Sequence, residues 1–121
     1  MSLRVLVVDD DTDIRETFVE VLEDAGHGCV SACNGLKSLE RLRADVDLPD
    51  VILLDLRMPL MDGEFFRDAQ LEDARLASVP AVIVLANAQV GDAARRLKAA
   101  GHFKKHVDLR ELLEIVDRFA R

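Results

Sequence analysis

The chain has 121 residues, with 16 Lys and Arg against 23 Asp and Glu, so its formal net charge is −7. This length predicts a single domain over residues 1–121, and the 50% hydrophobic content predicts a buried core rather than a disordered chain. No apolar run approaches the roughly 18 residues of a membrane span, and no secretory signal is recognisable. The acidic balance argues against direct nucleic-acid binding. A cytoplasmic protein is therefore expected.

Short apolar runs predict five strands, and helical periodicity fills the segments between them. The strands are expected at 3–8, 29–33, 51–54, 81–86 and 102–104. The helices are expected near 14–25, 36–42, 63–77 and 92–100, and from a capping box formed by Asp108 and Glu111 onward. The apolar positions of the third helix are taken as Phe65, Phe66, Ala69, Leu71 and Leu76. Strands without polar alternation are buried on both faces, which predicts an open, doubly wound parallel α/β sheet.

The two cysteines indicate neither a disulfide nor a metal site. Cys29 and Cys33 fall in the second predicted strand, which separates them by about 13 Å, too far for a disulfide. His27 lies nearby, but a strand spreads these three side chains too widely for zinc, and no fourth ligand follows. We expect buried free thiols, and structural or surface roles for the three histidines.

Carboxylates follow two of the strongest predicted strands. Asp9 and Asp10 come directly after the first strand, and Asp55 ends the third. In such sheets ligands bind outside the carboxyl ends of the strands, so these acids are expected to converge if the strands are neighbours. Crowded like charges raise one another's pKa and destabilise the fold unless a cation neutralises them, and Mg²⁺ suits such a pocket. One residue of 11–13 is expected to cap the first helix instead.

The loop after Asp55 is expected to belong to the same site. It reads DLRMPLMDG over residues 55–63. Met58-Pro59 favours extended or turn backbone, and Asp62-Gly63 is a turn signal expected to supply positive φ. This geometry keeps the backbone beside Asp55 out of a helix, where its carbonyl groups can face a metal ion.

At this point the sequence resembles the receiver domains of two-component response regulators, over essentially the whole chain. The resemblance rests on VVDDD at 7–11, on the 55–63 loop with its spacing from that motif, and on DLRELL at 108–113. It implies a flavodoxin-like five-stranded parallel sheet of order 2-1-3-4-5 with helices on both faces.

The resemblance also implies a role for each matching residue. Asp55 would be the phosphoacceptor, attacking a phosphohistidine on a sensor histidine kinase or phosphotransfer protein. Asp10, Asp55 and the backbone carbonyl of Arg57 would bind Mg²⁺, and Asp9 would hold a water ligand of that metal. Lys105 would contact the phosphoryl group. The chain would phosphorylate and dephosphorylate itself only, and would not be an enzyme acting on other substrates.

Two segments depart from the family pattern. Ala86 stands where the family has Ser or Thr, so the hydroxyl that contacts the phosphoryl group is missing, and Asn87 is expected to point to the other face. His106 replaces the proline of the family's Lys-Pro pair, and the fifth strand is about three residues short. Because of this shortening, Lys104 instead of Lys105 could be the residue that contacts the phosphoryl group. Alternatively, both lysines are a solvated pair at the strand end. These departures are expected to weaken coupling to the face formed by the fourth helix, fifth strand and fifth helix.

Two other functions remain open from the sequence. A degenerate receiver would bind partners with an altered phosphorylation switch or none. A phosphohydrolase of the haloacid-dehalogenase type would use Asp9 as nucleophile and Asp11 as acid/base, but Asp13 replaces its Thr or Val and the chain is too short for a cap. In the receiver reading, the output is a downstream effector protein or an output domain missing from this chain, and a homodimer would use the fourth-helix, fifth-strand, fifth-helix face.

Overall fold

Five parallel strands alternate with five helices along the chain. The computed structural model describes residues 3–44, 47–55, 62–85, 90–104 and 109–119. The elements are β1 Arg4–Val8, α1 Thr12–Asp24, β2 Gly28–Ala32, α2 Gly35–Ala44, β3 Val51–Asp55, α3 Gly63–Glu72, β4 Ala81–Leu85, α4 Val90–Arg96, β5 Gly101–Lys104 and α5 Leu109–Asp117. No described helix is long and apolar enough to cross a membrane.

The sheet has the order β2-β1-β3-β4-β5, and all neighbouring strands are parallel. Alternate residues of β1 enter two separate cores, because successive side chains point to opposite faces of a sheet. Leu6 and Val8 pack with α2, α3 and α4, whereas Val5 and Val7 pack with α1 and α5. The doubly wound α/β fold and its strand order are therefore confirmed, as is the edge position of the second strand.

Helix α3 is shorter than its periodicity predicts, and it is rotated. It ends at Glu72 rather than near 77, because the side chain of Asp73 accepts a hydrogen bond from the backbone N–H of Arg75 (3.0 Å) in a local turn. The expected apolar face was wrong at Phe65, whose side chain is 68% exposed, whereas Phe66 is fully buried. The polar residues Arg67 and Gln70 are buried instead.

Helix α1 ends at Asp24, close to the predicted end at 25, and a turn at Gly26 follows it. Gly26 has φ +96, a left-handed conformation that glycine adopts without strain. The N–H of His27 donates to the carbonyl of Leu22 (3.0 Å), and the N–H of Gly26 donates to that of Glu23 (3.0 Å). This pair of hydrogen bonds is a Schellman motif.

Helix α4 ends in the same motif, but a lysine takes the glycine's place. The N–H of Ala99 donates to the carbonyl of Ala94 (2.9 Å), and the N–H of Lys98 donates to that of Arg95 (3.2 Å). Lys98 has φ +54, the left-handed conformation that L residues rarely adopt. The expected helix 92–100 was therefore wrong at its end, because the chain turns at Lys98 without a glycine to mark the position.

Both cysteines and the two described histidines, His27 and His102, have the structural or surface roles expected of them, with one difference. Both cysteines are free but half-buried rather than buried, and Cys33 lies just beyond β2. His27 is buried, where its Nδ1 accepts from the N–H of Leu3 (3.1 Å) and its Nε2 lies 3.4 Å from Asp117 Oδ1. His102 is exposed. His27 thus links the residue before β1 to the last residue of α5.

Candidate phosphoacceptor and metal site

Strands β1 and β3 are neighbours, and their carboxyl ends bring three acids together. Val8 pairs with Leu54, so the residues that follow them, Asp9 and Asp55, lie side by side, and Asp55 is the last residue of β3. Each of Asp9, Asp10 and Asp55 offers one carboxylate oxygen, and these three oxygens lie within 4.8 Å of one another. Asp9 and Asp55 are each 1% exposed, whereas Asp10 faces solvent. The convergence predicted from the sequence is therefore present.

Hydrogen bonds from three directions hold Asp9 in place. Its N–H donates to the carbonyl of Ala32 at the end of β2 (3.2 Å), and its carbonyl accepts from Arg15 Nη1 (2.8 Å). Its Oδ1 accepts from the N–H of Asp11 (2.9 Å). Arg15 was not predicted from the sequence to take part in the site. The sequence feature that favours its contact with Asp9 is its position in the first turn of α1, six residues further along the chain.

Asp11 caps α1 and does not join the acidic cluster. Its Oδ1 accepts from the N–H groups of Asp13 (3.0 Å) and Ile14 (3.2 Å), which are two of the donors that a helix leaves unpaired at its start. The residue expected to cap the helix is thus Asp11. This role occupies the side chain that the phosphohydrolase alternative needs as its acid/base.

The donor set of the cluster fits a hard divalent cation. At 4.8 Å, two unit charges repel by about 3.5 kcal/mol at an effective dielectric constant of 20. A divalent cation bound between the carboxylates attracts each of them, and these attractions outweigh the repulsion between the carboxylates. Mg²⁺ takes oxygen ligands only, needs one or two carboxylates, and keeps positions for water and phosphate oxygens. Two buried carboxylates beside an exposed one provide such an arrangement.

Three predicted site residues lie outside the described part of the chain: Arg57, Ala86 and Lys105. The backbone carbonyl of Arg57 as a metal ligand, Lys105 as a phosphoryl contact and Ala86 as the switch position without a hydroxyl therefore stay predictions. The same holds for Asn87 and His106.

The described chain resumes after the site loop at Asp62, which caps α3. Its Oδ1 accepts from the N–H of Phe65 (3.0 Å). Gly63 is the first residue of the helix and is buried, so the expectation of positive φ at the Asp62-Gly63 turn was wrong. The loop that leaves Asp55 thus leads directly into a capped helix.

Comparison with known proteins identifies the family. The family model described as the response regulator receiver domain matches residues 5–117. Sporulation initiation phosphotransferase F of Bacillus subtilis is 30% identical, over 98% of this chain and 94% of that protein. The DNA-binding transcriptional regulator NtrC of Escherichia coli is 35% identical over 94% of this chain, which spans only 24% of NtrC.

Solved structures agree with the fold. The chemotaxis response regulator CheY4 of Vibrio cholerae superposes with a TM-score of 0.88 at 26% identity, over 98% of this chain and 99% of that one. NtrX of Brucella abortus has a TM-score of 0.86 at 24% identity, over 98% of this chain and 27% of that one. The acidic cluster, the strand order and these similarities lead to one conclusion: the chain belongs to the receiver domain family of two-component response regulators.

Proposed function

We propose that this chain is a phosphoacceptor receiver in which Asp55 accepts a phosphoryl group with the help of Mg²⁺. The observation that carries the proposal is the acidic cluster, in which one carboxylate oxygen from each of Asp9, Asp10 and Asp55 lies within 4.8 Å of the other two at the strand ends. Membership of the receiver family supports it. The donor would be the phosphohistidine of a sensor histidine kinase or phosphotransfer protein.

The proposed chemistry is the transfer of a phosphoryl group from a histidine nitrogen of the donor to a carboxylate oxygen of Asp55. A carboxylate oxygen of Asp55 forms a bond to phosphorus while the bond from phosphorus to the imidazole nitrogen breaks, and the nitrogen keeps the electron pair. Water later attacks the resulting acyl phosphate, which restores the carboxylate and releases inorganic phosphate. Bound Mg²⁺ supplies charge neutralisation to the reacting oxygens.

The chain's own residues contribute positioning, which dominates catalysis of phosphoryl transfer. Asp55 ends a strand whose five residues are all buried, so its backbone is fixed by the core. Three hydrogen bonds fix Asp9 beside it. Asp10 is exposed, so its carboxylate is open to solvent beside the two buried ones. The Arg57 carbonyl and Lys105 complete the proposed site from the sequence.

The partners follow from this role. The chain is proposed to act as one domain, residues 1–121, in the cytoplasm, where proteins of this family typically work. Its output would pass to an effector protein or an output domain, as the partial coverage of NtrC suggests. A homodimer would use the α4-β5-α5 face, where charges of both signs line a cleft, among them Arg95, Arg110, Glu111 and Glu114.

Intact-protein mass spectrometry tests the proposal. Wild type incubated with Mg²⁺ and acetyl phosphate should gain one phosphoryl mass, and the gain should disappear with EDTA or in Asp55→Asn. Asp50→Asn is the matched control, because Asp50 precedes the same strand and its side chain only accepts from the N–H of Arg4 (2.8 Å). A gain retained in Asp55→Asn would contradict the assignment.

A degenerate receiver is the second candidate, and Ala86 and His106 favour it, since both stand where the family places residues that respond to the phosphoryl group. No mass gain in wild type, with Mg²⁺ binding measured separately, would support this candidate. If phosphorylation occurs, restoring a hydroxyl with Ala86→Thr should enlarge the change in amide exchange over residues 86–115. An equal change in both proteins would show that the hydroxyl is dispensable.

A further inference from the structure

Helix α3 carries a buried arginine that binds only neutral oxygen atoms within the described part of the chain. Arg67 is 4% exposed. Its Nε donates to the carbonyl of Leu97 (3.1 Å) and its Nη2 to that of Lys98 (3.0 Å). Its Nη1 donates to Gln70 Oε1 (2.7 Å). Burial lowers the pKa of this guanidinium, so the position is costly unless each of these contacts is kept.

Two of the three backbone carbonyls that Arg67 reaches belong to the two residues that follow α4, and the third is that of Val79, 3.4 Å from Nη1. The Schellman motif there uses the carbonyls of Ala94 and Arg95. Leu97 and Lys98 follow, and their carbonyls accept from Arg67 instead. A cation at this end also interacts favourably with the helix dipole. Arg67 therefore acts as a cap for α4 that is supplied by α3.

A second polar link joins the same two helices. Glu64 Oε1 accepts from Arg96 Nη2 (2.7 Å) and Nε (3.1 Å). Glu64 lies one turn before Arg67 on α3, and Arg96 is the last residue of α4. Exposed ion pairs are weak individually, but this one constrains the same helix end as the buried arginine.

Gln70 fixes the orientation of the buried guanidinium. Its Nε2 donates to the carbonyls of Leu76 (2.9 Å) and Val79 (2.8 Å), in the turn between α3 and β4, while its Oε1 accepts from Arg67. An apolar side chain at position 67 would fill the volume but leave the α4 carbonyls without this donor. The network therefore does more than occupy core space: it attaches α4 to α3.

We propose that α3 transmits the state of the acidic site to α4 through Arg67 and the Glu64–Arg96 pair. Asp62, the cap of α3, follows Asp55 by only seven residues in the chain, so a displacement at the acidic site has a short covalent path to the first turn of α3. The polar links then carry the displacement to the end of α4 without a hydroxyl at position 86. What drives the displacement rests on the proposed function, whereas the coupling of the two helices does not.

The coupling is measured by hydrogen–deuterium exchange after loosening the start of α3. Asp62→Ala removes the cap of α3 and is expected to raise amide exchange in residues 90–100 by up to about fivefold, the equilibrium effect of losing one helix cap. In an Arg67→Met background, Asp62→Ala should raise exchange there by less than about twofold. Exchange in α5 serves as the internal reference for global stability.

The matched control is Arg75→Met. Arg75 Nη1 donates to the carbonyl of Leu42 near the end of α2 (3.0 Å), so it makes the same kind of contact to a different helix. In the Arg75→Met background, Asp62→Ala should raise amide exchange in residues 90–100 as much as it does in wild type. Arg96→Gln cuts only the exposed pair, keeps the buried network intact, and should reduce the effect partly. The inference is overturned if Asp62→Ala leaves 90–100 unchanged in wild type, or loosens it equally in Arg67→Met.

A phosphorylation arm separates this inference from the proposed function. With Mg²⁺ and acetyl phosphate, wild type and Arg67→Met should gain the same phosphoryl mass, but only wild type should change its exchange fully over 90–100. An equal exchange change in both, at equal uptake, contradicts transmission through Arg67. Absence of uptake in wild type contradicts the proposed function, and the Asp62→Ala comparison still decides whether α3 and α4 are coupled.

Discussion

Replacing Asp10 by Asn should stabilise the magnesium-free protein and remove the stabilisation that magnesium provides. One carboxylate oxygen of Asp10 lies within 4.8 Å of an oxygen of Asp9 and of an oxygen of Asp55. The substitution keeps the shape of the side chain but removes one of three clustered negative charges. It also removes a charged ligand from the proposed metal site, so both effects should appear together.

The distances set the magnitude. At 4.8 Å, each pair of charges repels by about 0.9 kcal/mol in water and by about 3.5 kcal/mol at an effective dielectric constant of 20. Because Asp10 is exposed, its two pairs lie near the lower figure, and Asp10→Asn should gain about 1–2 kcal/mol in the free energy of unfolding. A chain of 121 residues changes its Tm by about 4 °C per kcal/mol, which predicts a rise of about 4–8 °C.

Thermal unfolding followed by circular dichroism, in EDTA and over a magnesium series, measures both effects. Wild type should gain about 2.7 kcal/mol when magnesium reaches 100 times its Kd, whereas Asp10→Asn should gain far less. Asp24→Asn, at the exposed end of α1, is the control for the magnesium response, which it should leave unchanged. A lower Tm for Asp10→Asn in EDTA, or a magnesium response equal to that of wild type, would refute the reasoning.

Two further predictions concern the backbone and a thiol. Lys98→Gly should relieve the left-handed conformation at the end of α4 and raise stability by about 0.5–1 kcal/mol, whereas Gly26→Ala should lose about 1 kcal/mol although its Cβ would meet no atom within 4 Å. A loss of stability for Lys98→Gly or a gain for Gly26→Ala, measured by chemical denaturation, would contradict this. Burial, followed by the charge of Glu23, raises the pKa of the Cys29 thiol to about 11, so iodoacetamide at pH 8 should alkylate it about 100-fold more slowly than a thiol of pKa 9.0. Equal rates by peptide mass mapping would exclude the shift.

The sequence predicts the features of this fold that depend on local pattern. Apolar runs ending in Asp9 and Asp55 predict both the buried strands and the meeting of the carboxylates, since parallel strands end at one edge of a sheet. Glycine at position 26 predicts the end of α1. These predictions follow from the residues of each segment alone. The strand order, in contrast, was predicted only from the family resemblance.

The features that escape prediction depend on partners distant in the chain. The predicted apolar positions of the third helix include Phe65 and omit Arg67 and Gln70, because nothing in α3 itself shows that carbonyls about 30 residues away accept hydrogen bonds from Arg67. The end of α4 escapes for a related reason, since Lys98 adopts a conformation that its residue type disfavours. Tertiary contacts outweigh local preference at these positions.

The division of the core into two clusters has a consequence for how such a protein can diversify. Helices α1 and α5 share one cluster, and α2, α3 and α4 share the other, with the sheet between them. Substitutions in the polar links around Arg67 alter one layer only, and α1, with its contact to Asp9, remains untouched. Under the proposed coupling, substitutions can therefore change the end of α4 while α1, beside the acidic cluster, stays the same, so that the two sides of the sheet can diverge separately.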